Sequence, residues 1–167
     1  MSKPILIDPL KFAREGRSQT GTLAISALDS RIHDDLSDTD GEVKYTLSGH
    51  VDPLRRAVLR LTLDATISVR CPRCLSSMPY VLKTDSSMTL FTDEEKLEAA
   101  CEADETLDAI MAEPELDVVR LVEDEIIMGL PLSPKHDDCG TDALARAKTD
   151  KPNPFAVLAA LKGTKSE

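Results

Sequence analysis

Cys71 and Cys74 stand two residues apart in "SVRCPRCLSSMPY" (68–80), and His136 and Cys139 stand close together again in "HDDC". Such spacing lets neighbouring ligands grip one tetrahedral metal ion without backbone strain. Together the two pairs make a Cys3His set, closed and therefore structural, of the kind that holds zinc. No other cofactor suggests itself. The plainer reading, which the spacing alone favours, is a tight turn with two small buried thiols that needs no metal. A redox pair fits worse, because these cysteines lie between strand-like runs and not where a helix N-terminus could lower a thiol pKa. Cys101 pairs with nothing by spacing.

Arg55, Arg56, Arg60, Arg70 and Arg73 form the densest cluster of bases. They are the candidates for contact with RNA phosphates or a partner. They lack the neighbouring aromatics on which single-strand binders stack bases. A solvated strand face, ion-paired to acidic residues, explains them equally well. For catalysis there is little: no P-loop, no G-x-G-x-x-G and no G-x-S-x-G. Glu123, Asp124 and Glu125 form a carboxylate row, but consecutive helix positions point in different directions. They read as a surface face, and the chain reads as a non-enzyme.

The elements that must position these residues follow from periodicity. "EVKYTLSGHV" (42–51) and "AVLRLTLDATISVR" (57–70) alternate apolar and polar residues, and "YVLKTDSSMTLFT" (80–92) does so more weakly. They predict an antiparallel meander with "CPRCLSSMP" as the connection between its last two strands. "VVRLVEDEIIMG" (118–129) is the main helix, capped by Asp117 and ended by Gly129 and Pro131. His136 and Cys139 reach the cysteine pair only if this helix folds back on the sheet. Short N-terminal helices are expected after Asp8 and over 26–36 with Ser26 as cap, with a brief strand at 20–25 between them. The fold class is α+β: an antiparallel meander, one main packed helix, short N-terminal helices and a short C-terminal helix. One domain spans 1–139, with 93–115 as an acidic insertion that is either a loose helix or a mobile linker. A polar linker follows at 140–152. A helix at 153–162 then offers Phe155, Leu158 and Leu161 to its own domain or to a partner's groove.

The 167 residues are 41% hydrophobic but only 3% aromatic, so the core must be Leu, Val, Ile and Ala. No apolar run reaches the roughly 20 residues that span a bilayer, and the N-terminus does not read as a secretory signal. A cytoplasmic chain without membrane contact is expected. The formal charge of −10 is uneven. Residues 1–90 carry 12 Lys and Arg against 11 Asp and Glu, and residues 91–167 carry 8 against 19. An acidic chain is a poor general polyanion binder, which argues against DNA. The acidic half suits a basic partner.

"CPRCL", "LVEDEIIMGLPLSPKH" followed by a cysteine, the tail "KPNPFAVLAALK" and the opening "IDPLKFAREG" together resemble the YceD family, whose members are described as large ribosomal RNA subunit accumulation proteins. The matching positions are Cys71, Arg73, Cys74 and Leu75 in the first motif and Glu123, Asp124, Pro131, Pro134 and His136 in the second. The resemblance implies a role in synthesis, processing or stability of 23S ribosomal RNA, with no catalytic activity attached. Its expected partners are large-subunit rRNA or a basic ribosomal or assembly protein. The alternative is a zinc-dependent interaction adaptor with no ribosomal role.

Overall fold

Alternation of apolar and polar residues builds the sheet. The computed structural model describes residues 3–137 and residue 139. In it β1 (Leu6–Ile7), α1 (Pro9–Arg14) and β2 (Ser18–Ala24) are followed by a 3-10 turn (Ile25–Ala27) and α2 (Ser30–His33). Then come β3 (Glu42–Val51), β4 (Ala57–Arg70), β5 (Ser77–Phe91), α3 (Glu94–Ala103), β6 (Ala109–Met111), β7 (Leu116–Asp117) and α4 (Val118–Gly129). The expected linker at 140–152 and the helix at 153–162, with Phe155, Leu158 and Leu161, lie outside the described residues.

The main sheet has the order β2-β3-β4-β5-β6. Its first four strands are antiparallel neighbours, and β6 adds to β5 in parallel. One face is solvated, with Arg60 facing Asp85 and Lys83 facing Asp64 across β4 and β5. The other face carries Val43, Leu47, Leu59, Leu61, Ala65, Ile67, Val69 and Leu82, all buried. Against this layer pack Phe12 and Ala13 of α1, Ile32 of α2, and Val118, Val122 and Ile126 of α4. Each fully buried Val or Ile contributes roughly 1.5–3 kcal/mol relative to exposure. The α4 stripe therefore suffices to hold that helix on the sheet, with Asp117 accepting from the Val119 N–H at 3.0 Å to cap its start.

Two local expectations change, one open alternative closes and one strand pairing is new. The stretch 26–36 is not one helix capped by Ser26. Leu28 is extended, and α2 starts only after Asp29, whose carboxylate accepts from the Arg31 N–H. The break has a cause: the Asp29 N–H donates to the Glu123 carboxylate on α4 at 2.9 Å, so it is not available to a continuous helix. The carboxylate row is also not all surface, since Glu123 is only 6% exposed. The acidic stretch resolves into α3, capped by Asp93, and the edge strand β6. Finally, β1 pairs with β7, placing the N-terminal segment beside the start of α4. Ile5 reinforces this by donating its N–H to the Asp117 carboxylate at 3.1 Å.

Candidate metal centre

The connection between β4 and β5 is a six-residue knuckle, 71–76, closed by its own backbone. The Leu75 N–H donates to the Cys71 carbonyl at 2.8 Å, and the Cys71 N–H donates to the Ser76 carbonyl at 2.9 Å. Leu75 adopts φ +62°, a left-handed conformation uncommon for a branched side chain. It lets the chain reverse immediately after Cys74. The strand β5 begins at Ser77, earlier than alternation alone indicates, because Arg70 and Ser77 are still in register across the hairpin.

The second half of the centre comes from the segment after α4. Gly129 lets the end of α4 lie directly on β5: a Cβ there would come within 2.6 Å of the Leu82 side chain and 2.8 Å of that of Thr84. The chain then passes Pro131 and Pro134 and returns to the knuckle. Cys71 Sγ lies 3.4 Å from Cys139 Sγ, and Cys74 Sγ lies 3.4 Å from His136 Nδ1. All four ligand atoms fall within 4.8 Å of one another. A tetrahedral ion with bonds of about 2.0–2.3 Å needs ligand atoms roughly 3.5–3.8 Å apart. The donor set is therefore of the right size and chemistry for zinc, with four protein ligands and no position left for substrate.

The environment also favours thiolate at the knuckle. Burial pushes the Cys71 thiol up, but hydrogen bonds from the backbone at Cys74, His136 and Arg73, with one from Cys139, outweigh it and bring the thiol down to about 5. The backbone and hydroxyl of Ser76 hold Cys74 below the ordinary thiol value. His136 is raised by its hydrogen bonds to Cys71 and Cys74. Cys139 is raised by burial, against the opposing pull of Arg73. A bound dication favours the thiolate form of all three cysteines.

The structure thus brings Cys71, Cys74, His136 and Cys139 together. It does not gather the five arginines. β4 is 14 residues long, so its ends stand roughly 40 Å apart. Arg55 lies in the turn before it, at φ +61°, and Arg56 pairs with Asp52 at 2.6 Å. Arg60 is held by both carboxylate oxygens of Asp85, at 2.7 and 2.6 Å. Arg70 is exposed at the far end. Arg73 is part of the Cys3His cluster: Nε donates to Cys139 Sγ at 3.3 Å and Nη2 to the His136 carbonyl at 2.8 Å. Sequence reasoning reads Arg73 as a phosphate contact and misses this role. Its place inside the C-x-x-C is the one signal that could have indicated it. Cys101 is half-buried, away from the cluster.

Among the described residues no helix is long and apolar enough to cross a membrane. The family described as large ribosomal RNA subunit accumulation protein YceD matches residues 59–162, a span that takes in all four candidate ligands. A protein of that name from Haemophilus influenzae is 29% identical over 168 residues, covering 95% of each chain. No solved structure matches. On the span of the family match and the near full-length likeness, the chain belongs to the YceD family.

Proposed function

We propose that this chain is a non-enzymatic factor that supports accumulation of large-subunit ribosomal RNA. It would act in synthesis, processing or stability of the 23S species during assembly of the large subunit. Family membership across 59–162 is the observation that carries this reading. Depletion of the protein should lower the ratio of 23S to 16S rRNA and reduce mature large subunits in a sedimentation profile. An unchanged ratio and profile would overturn the reading and favour an adaptor without a ribosomal role.

In this reading the Cys3His cluster holds a structural zinc. Cys71 and Cys74 on the β4–β5 hairpin and His136 and Cys139 after α4 would be its ligands, and the ion would cross-link the sheet to the end of the main helix. The closed donor set supports a structural ion over a catalytic one, since catalytic zinc keeps a fourth position for water or substrate.

The partner surface is acidic. Stretch 93–117 holds 11 acidic residues and a single base, Lys96. No residue of α3 is buried. A basic ribosomal or assembly protein fits this face better than RNA does, because like charge repels phosphate. Crosslinking in cells with separate identification of RNA and protein tests the assignment. RNA crosslinks across 93–117, with no protein partner, would defeat it.

A further inference from the structure

We propose that Arg73 is the positioning residue of the Cys3His centre, fastening the 136–139 segment to the knuckle and offsetting the surplus charge of the ligand set. This rests on the zinc reading above. Arg73 lies between Cys71 and Cys74 in sequence, yet both of its hydrogen bonds go to the other half of the centre. Nε donates to Cys139 Sγ at 3.3 Å, and Nη2 donates to the His136 carbonyl at 2.8 Å. One side chain therefore touches both residues that complete the ligand set, 66 and 63 positions away in sequence.

Charge gives the second reason. Three thiolates and a neutral imidazole around a divalent ion leave one negative charge in excess. A guanidinium, always protonated, cancels it at the sulfur itself. Its planar fork reaches two acceptors at once in fixed geometry, which a lysine ammonium on a flexible stem does not reproduce. Groups that hydrogen-bond to metal ligands orient them, and their loss typically costs about 10–100-fold in metal affinity.

The arrangement also makes the thiolates unequal. A hydrogen bond to Cys139 Sγ draws electron density from that sulfur and lowers its donor strength. Cys74 is exposed and faces His136 instead. Cys71 is thus the buried ligand, Cys139 the one capped by Arg73, and Cys74 the open one.

The test uses the full chain, prepared reduced and metal-free, then loaded with cobalt(II) or zinc. Wild type, Arg73→Gln, Arg73→Lys and Arg70→Gln are compared. Cobalt affinity, zinc competition and the thiolate-to-cobalt charge-transfer band are measured, with circular dichroism to check folding. Arg73→Gln should lower affinity by about 10–100-fold and move the band to longer wavelength, because a sulfur released from its hydrogen bond is easier to ionise. Arg73→Lys should recover only part of the affinity. Arg70→Gln removes one nearby charge without touching a ligand, and should leave both readouts close to wild type.

Wild-type affinity and an unmoved band in folded Arg73→Gln would overturn the inference. So would Arg70→Gln matching its losses, since that would reduce Arg73 to a general charge. Should Arg73→Gln not fold, Arg73→Lys decides: an unmoved band with full affinity overturns the proposal. If wild type takes up neither ion, the zinc reading itself falls and this inference falls with it. That outcome is distinct from a metal-binding wild type with an indifferent variant.

Discussion

The Glu123 carboxylate on α4 accepts the backbone N–H of Asp29 at 2.9 Å, across 94 residues of sequence. Glu123 is nearly buried, and Arg31 approaches its second oxygen at 3.9 Å. One carboxylate thus sets where α2 begins and ties the N-terminal layer to the main helix. Glu123→Ala should destabilise the fold by about 1–3 kcal/mol, because it leaves the Asp29 N–H without its acceptor. Glu123→Gln keeps an acceptor oxygen and should cost less. Urea denaturation measures both. If Gln proves as costly as Ala, the charge facing Arg31 matters more than the backbone hydrogen bond.

Gly49 lies under α1. A Cβ there would come within 2.6 Å of the Ala13 Cα, 2.9 Å of the Ala13 nitrogen and 2.9 Å of the Phe12 carbonyl oxygen. These are backbone atoms and cannot swing aside. Gly49→Ala should therefore lift α1 from β3 and cost about 1–3 kcal/mol, as overpacking does. A fall in denaturation midpoint with an unchanged m value is expected, and a neutral substitution would show that α1 can shift freely.

On the zinc reading, removal of the ion should loosen one end of the molecule and leave the other intact. Free zinc at about 100 times its Kd stabilises a folded chain by about 2.7 kcal/mol. Chelation or Cys74→Ser should lower the melting temperature accordingly. Amide exchange should rise at 69–79 and 131–137 and stay slow in the middle of β3 and β4. Elemental analysis of protein purified without chelator should find one zinc per chain, and its absence would end the metal assignment.

The Arg60–Asp85 pair gives the outer sheet face a pH dependence. Hydrogen bonding and attraction from Arg60 hold the Asp85 carboxyl below its ordinary value. A lowered folded-state pKa stabilises the protein at pH above the unfolded value of 3.8 and loses that contribution as pH falls through the folded value. The difference in urea midpoint between wild type and Asp85→Asn should be largest near neutrality, shrink in salt, and close under strong acid. A difference that persists in strong acid would assign it to something other than the ion pair.

Much of this was legible in the residues. The alternation from Leu59 to Val69 marks β4 because a period of two leaves one face apolar for the whole strand. Asp8 before Pro9 and Asp117 before Val118 mark helix starts because a carboxylate can accept an orphan N–H there. The matched spacing of Cys71 with Cys74 and His136 with Cys139 indicated the cluster that the fold closes. What stayed hidden is non-local. "VEDE" has the composition of a surface, and nothing near Glu123 announces an acceptor role toward Asp29. Nor does "LI" announce that β1 pairs with β7, since two residues carry no periodicity. The five arginines look clustered in sequence, but an extended strand spreads them apart.

The pairing of β1 with β7 also sets a timetable. Ile5 and its acceptor Asp117 are separated by 112 residues, and at about 5–20 residues per second a ribosome needs roughly 6–22 s to make that span. Throughout that interval the nascent N-terminal segment has no strand to join, so Leu6 and Ile7 leave the exit tunnel as an unclaimed apolar edge. The hairpins from Glu42 to Phe91 are complete well before, and their own contacts are nearest neighbours in sequence. This N-terminal segment is therefore among the last to dock, and β7 is the element whose synthesis gives it a partner.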